Sequence, residues 1–161
     1  MLMKTRRSTQ GFTLIEVLVA LVILAVGLLG MATLMMSSLQ SSQSAYLRSQ
    51  ASVLAYDIVE RMRANHTQAV TTDDYELNVD TEATSDPGCA SSGCSASQQA
   101  QLDLFQWRTA LANGIPGATA SIVRDNQNEY QVTISWSEVG TQLENQDGTE
   151  VNPSFSLRID L

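Results

Sequence analysis

The stretch Phe12 to Met36, FTLIEVLVALVILAVGLLGMATLMM, decides the architecture. Only Thr13, Glu16 and Thr33 interrupt its apolar and glycine residues, and Val17 to Ala32 contains no polar side chain. About 20 apolar residues cross about 30 Å of hydrocarbon, so this run is long enough to span a bilayer. Lys4, Arg6 and Arg7 precede it with no accompanying acid, which predicts a cytoplasmic N-terminus with the bulk of the chain outside. A buried core helix is the plain alternative, but the length and the basic flank favour the membrane. A secretory signal would have an apolar part of about 7–15 residues ending in an Ala-x-Ala-like site. Met31-Ala32-Thr33-Leu34 offers no such site. The run therefore reads as an anchor that is kept.

Beyond the anchor, the 161-residue chain has room for one modest domain. Hydrophobic residues make up 43% and charged residues 16%. Much of the apolar content sits in the anchor, leaving a Ser-, Gln- and Asn-rich remainder with a small core, so a soluble cytosolic enzyme is an unlikely class. The net charge of −8 conceals an asymmetry, because after Gly11 there are 6 basic against 17 acidic residues. An acidic outer domain repels phosphate backbones, which argues against nucleic acid as a partner. Glu16 demands its own account. A carboxylate inside a span costs on the order of 2–3 kcal/mol or more and usually has a specific partner. The alternative is that it snorkels to the head groups.

Gly11-Phe12-Thr13-Leu14-Ile15-Glu16, with a short basic leader before it and a long apolar helix after it, resembles the class III signal of type IV pilins. The resemblance implies that a prepilin peptidase cuts between Gly11 and Phe12 on the cytoplasmic face and N-methylates Phe12. It also implies a role for Glu16. Cleavage turns an uncharged amide into an ammonium, which a neighbouring subunit's Glu16 can pair with in low dielectric. Ala45-Tyr46-Leu47-Arg48-Ser49-Gln50-Ala51, Ala55-Tyr56-Asp57 and Glu60-Arg61-Met62-Arg63-Ala64-Asn65 are similar to the helix end of PilV-type minor pilins. So are Trp107-Arg108, Leu111, Ile115-Pro116-Gly117 and the Tyr130 to Trp136 strand. The region from Thr71 to Gln99 matches nothing familiar.

The residues divide into a leader over 1–11, the membrane part of one long helix over 12–36, its periplasmic half over 37–64, and a head over 65–161 with a variable loop over 65–97. Leu47, Ala51, Leu54, Ile58 and Met62 form one apolar stripe at helical spacing. With no Gly or Pro between Met31 and Ala64, a continuous helix is expected from about Phe12 to Ala64, with weak points at Gly27 and Gly30. Pro87-Gly88 is a turn signal inside the loop. Gln98 to Asn113 reads as an amphipathic helix burying Leu104, Trp107 and Leu111, stopped at Gly114. Ala118 to Val123 is the weakest of three strands. Tyr130, Val132, Ile134 and Trp136 alternate, as do Phe155, Leu157, Ile159 and Leu161, with Asp147-Gly148 as a turn between those two strands. The expected fold class is α+β, an antiparallel sheet laid on the C-terminal half of the long helix.

Cys89 and Cys94 are the only cysteines, and in an oxidising periplasm they are expected to form a disulfide. A metal site is not expected, because His66 is the sole histidine. Asn65-His66-Thr67 matches a glycosylation sequon, a short motif that is frequent by chance. The oxygen-rich segments Asp125 to Glu129 and Glu144 to Glu150 lack the ligand order of a calcium loop and read as hairpin turns. Trp107 and Trp136 occupy in-register apolar positions and read as core. No nucleophile elbow, phosphate loop or metal triad is present, so neither catalysis nor a cofactor is expected.

These readings converge on a minor pilin of the inner membrane that helps start type IV pilus assembly and enters the pilus or its tip complex. The expected partners are other minor pilins, a tip adhesin, the major pilin and prepilin peptidase. The alternative is a minor pseudopilin of a type II secretion system, which shares leader, glutamate and helix. Gene deletion with counts of surface pili and of secreted protein separates the two. A membrane-tethered enzyme would instead show activity in residues 40–161 and no dependence on the peptidase. A DNA-uptake pilin is disfavoured by the acidic charge.

Overall fold

The computed structural model describes residues 11–79, 85–115, 117–125, 128–138, 143–144 and 150–161. Lys4, Arg6 and Arg7, Pro116, and the Asp147-Gly148 turn lie outside the described residues. The elements in chain order are α1 (Leu14–Ala64), α2 (His66–Thr71), α3 (Ala96–Gly114), β1 (Thr119–Arg124), β2 (Glu129–Ser135), β3 (Leu143–Glu144), β4 (Glu150–Val151) and β5 (Ser154–Asp160). The chain divides into two compact units, Met1–Ser42 and Gln43–Leu161.

In the first unit the Thr13 carbonyl opens α1 by accepting from the amides of Glu16 (3.1 Å) and Val17 (3.3 Å). The helix then continues with none of the described residues of this unit buried. It is long and apolar enough to cross a membrane, and none of its most apolar stretch is buried inside the structure. A core helix of a soluble protein would be covered. Thr33, a polar interruption in the run, donates its hydroxyl to the Leu29 carbonyl at 3.0 Å, so its polarity is satisfied within the helix. Glu16 carries the one charge of the stretch.

In the second unit the expected stripe of α1 is the core-facing one. Ala51, Ile58 and Met62 are buried, joined by Ala55 and Val59, while Leu47 and Leu54 pack at its margin. Against them lies a three-stranded antiparallel sheet in the order β1-β2-β5. Its register runs Ile122↔Val132 and Val132↔Leu157. Alternation places Tyr130, Val132, Ile134 and Trp136 in the core. The fold is α+β, a long N-terminal apolar helix with a small antiparallel sheet, as the sequence predicts. A two-stranded ladder, β3 with β4, sits between β2 and β5 in sequence.

Two local differences from expectation have identifiable causes. The helix read from Gln98 begins at Ala96, because Ser95 and Gln98 form a capping box. Ser95 Oγ accepts from the Gln98 amide at 3.2 Å, and Gln98 Oε1 accepts from the Ser95 amide at 3.0 Å. The segment read as loop over 65–97 contains α2, a six-residue helix. That helix is stabilised from outside, by burial of Ala69 and by Tyr130, whose hydroxyl donates to the Ala69 carbonyl at 2.7 Å. The Pro87-Gly88 turn is present, with Gly88 at φ 67°, a left-handed conformation that suits glycine.

Candidate functional site

The residues singled out at the N-terminus lie on the first turns of α1 and the extended stretch before it. Gly11 and Phe12 precede the helix, and Phe12 is 86% exposed. A Cβ built at Gly11 meets nothing within 4 Å. The fold itself therefore does not ask for glycine here, and any requirement for it comes from a molecule that reads this segment. Glu16 is the acidic residue of the first helical turn, where unpaired amides and the helix dipole favour negative charge. Phe12, Glu16, Val17, Ala20, Leu21 and Leu24 line one shallow depression on the helix surface. Phe12, from the stretch before the helix, and Glu16, from its first turn, thus border the same depression. Among the described residues, no cation pairs with the Glu16 carboxylate. The arrangement is an exposed apolar helical stretch with one carboxylate near its start.

Cys89 and Cys94 are joined in a disulfide, with Cα atoms 5.0 Å apart. The staple lies in the segment before α3, with Cys89 buried. His66 is exposed at the start of α2. The sequon residue Asn65 has a structural task, since its Nδ2 donates to the Ala96 carbonyl at 2.8 Å and to Tyr75 Oη at 3.2 Å. Trp107 and Trp136 are both core, and Trp107 Nε1 also donates to the Leu54 carbonyl at 2.7 Å, tying α3 to α1 within the second unit. Of the acids near the β1–β2 turn, Asp125 and Glu129 face Arg158, each at 3.6 Å.

Sequence reading missed the most buried charged residue among the described residues. Asp103 is 4% exposed. Its Oδ2 accepts from the Tyr75 hydroxyl at 2.7 Å, and its Oδ1 accepts from Gln99 Nε2 at 2.9 Å and faces Arg61 Nη1 at 3.5 Å. Arg61 is held in place by Asp57 Oδ2 at 3.1 Å and by Gln106 Oε1 at 2.9 Å. Burial pushes the Tyr75 phenol well above its ordinary range, and its hydrogen bond to Asp103 adds to the effect. Tyr130 shifts the same way, again chiefly through burial. The cluster is closed and satisfied, so its work is to register α1, α3 and the loop after α2 against one another. The one available signal was an acid on the helix face that also carries Leu104, Trp107 and Leu111, and it gave no partner.

Residues 33–105 match the family model described as type IV pilin Tt1218, and residues 6–32 match the prokaryotic N-terminal methylation motif. Comparison with curated proteins and with solved structures finds no match. The two matched stretches abut and together take in the Gly11–Glu16 segment, α1, α2 and the first half of α3. The chain thus carries a type IV pilin segment and an N-methylation motif, which support a pilin role. The motif and the exposed apolar helix are consistent with membrane anchoring, and the long-helix-plus-sheet architecture is consistent with the type IV pilin fold.

Proposed function

We propose that this chain is a minor pilin of the PilV type, stored in the inner membrane with its head in the periplasm and drawn into the pilus or its tip complex at assembly. The observation that carries the reading is the Gly11-Phe12-Glu16 constellation on an exposed apolar helix, within a matched N-methylation motif. Prepilin peptidase cuts the Gly11–Phe12 bond, and the freed, methylated Phe12 nitrogen becomes a cation. A Glu16 on a neighbouring subunit meets that cation in low dielectric, where the pair is far stronger than in water. Apolar helices meanwhile exchange lipid contacts for one another. The acidic heads select neighbours among other minor pilins, the major pilin and a tip adhesin. The role is structural rather than catalytic.

The test is Glu16→Ala in cells that make pili. Mass spectrometry of the mature N-terminus is expected to show normal cleavage and methylation, while the variant is depleted from sheared filaments. Normal incorporation of the variant refutes the charge pair. An N-terminus that still carries residues 1–11 refutes the pilin reading as a whole.

A further inference from the structure

The sheet ends abruptly at β5, and its edge has the chemistry of a strand acceptor. β5 is the edge strand of the β1-β2-β5 order. The Leu161 amide donates to the Asn128 carbonyl at 2.9 Å, and the Trp136 amide donates to the Pro153 carbonyl at 3.0 Å. In an antiparallel ladder these bonds assign the odd-numbered backbone groups of β5 to β2. The amides and carbonyls of Ser154, Ser156, Arg158 and Asp160 therefore point outward, and no strand among the described residues pairs with them.

Burial falls off at the same edge. Tyr130, Val132 and Ile134 of β2 are fully buried, yet their partners Ile159, Leu157 and Phe155 are only half-buried. An apolar row that is complete on β1 and β2 is left open on its last strand. Among the described residues, β5 carries neither an internal proline nor a break in register over its seven residues to protect this edge. Its one cation, Arg158, leans back across the sheet to Gln131, Asp125 and Glu129 rather than guarding the edge.

We infer that the outer edge of β5 accepts an extended strand from a different protein chain, one that alternates apolar with polar residues and carries a basic residue opposite Asp160. The apolar residues of that strand continue the row of Phe155, Leu157 and Ile159, and main-chain bonds to the even-numbered residues supply affinity. Charge selects a different chain over a second copy. With 6 basic against 17 acidic residues after Gly11, two heads repel each other, whereas the exposed Asp160 attracts a cation. This docking edge is separate from the N-terminal charge pair and holds whether or not that pair drives assembly.

The test places p-benzoylphenylalanine at position 156 of the full chain in cells, with position 133 in the middle of the sheet as control. Crosslinked peptides are then mapped by mass spectrometry to the residue. The expected result is an adduct at 156 and none at 133, on an alternating apolar–polar segment of another protein with a basic residue near the Asp160 end. A proline at the neighbouring outward position, Ser154→Pro, removes one outward donor without touching the ladder to β2, and is expected to lower adduct yield about tenfold with an unchanged thermal midpoint. An adduct on a second copy, on residues 139–149 of the same chain, or on a non-alternating surface overturns the inference. So does the absence of any adduct, or one that is insensitive to the proline in a folded chain.

Discussion

The hydroxyl of Tyr75 donates to Oδ2 of Asp103 across 2.7 Å, and both residues are buried. This pair joins the loop after α2 to the middle of α3. Gln99 and Arg61 approach the other carboxylate oxygen, so the buried charge is met from three elements. An acid this deep is tolerated only while its acceptors are filled.

Tyr75→Phe takes away one of those donors and leaves Oδ2 in an apolar setting. The expected cost is about 1–3 kcal/mol of head stability. Denaturant unfolding of the purified full chain in detergent measures it, and a loss below a few tenths of a kcal/mol would show that Asp103 is served by water instead.

The raised phenols of Tyr75 and Tyr130 make stability fall in alkali. Each phenol has an ordinary value of 10.0 and a higher one in the folded chain. Above about 10 the unfolded chain gives up protons that the folded chain keeps, so unfolding is progressively favoured. Below 10 the contribution is fully present. A stability profile from pH 8 to 11.5 should therefore be flat and then decline, and Tyr75→Phe should shallow the decline without abolishing it, because Tyr130 still contributes. An unchanged slope in that variant would contradict the assignment.

Arg124 is expected to hold α2 in place. Its guanidinium donates to the carbonyls of Val70 and Thr72 and to Asp73 Oδ1, answering carbonyls at the end of a short helix. Arg124→Ala should cost about 1–2 kcal/mol and speed amide exchange at Ala69 and Thr72, while the β1–β2 ladder stays protected. Equal exchange across both regions would mean that Arg124 supports the whole head.

Reduction of Cys89–Cys94 should be mild. The bridge spans five residues of sequence, so chain entropy assigns it about 2 kcal/mol, and neither sulfur belongs to the main core cluster. Cys94→Ser is expected to lower the thermal midpoint by several degrees while leaving the near-ultraviolet signal of Trp107 and Trp136 intact. Loss of that signal at ambient temperature would give the staple a larger role.

The burial of large apolar surfaces could be read directly from the sequence. The stripe through Ala51, Ile58 and Met62 and the alternation of Tyr130, Val132 and Ile134 each repeat with the period of the element they form, because one face must leave water. The run from Val17 to Ala32, by contrast, was legible by its length and unbroken apolar character. The Gly11–Glu16 segment was legible for another reason, since the N-terminal methylation motif it falls in is a linear pattern of residues that needs no fold to be recognised. Polar partnerships carry no such period. Asp103 meets Tyr75 from 28 residues away and Arg61 from 42, and α2 exists because Tyr130 and Arg124 reach back to it from β2 and β1. The open edge of β5 likewise follows from strand order, which alternation leaves undetermined. Solvent exclusion writes itself locally along the chain, whereas the pairing of buried polar groups is a property of distance in space and is decided only when the head closes.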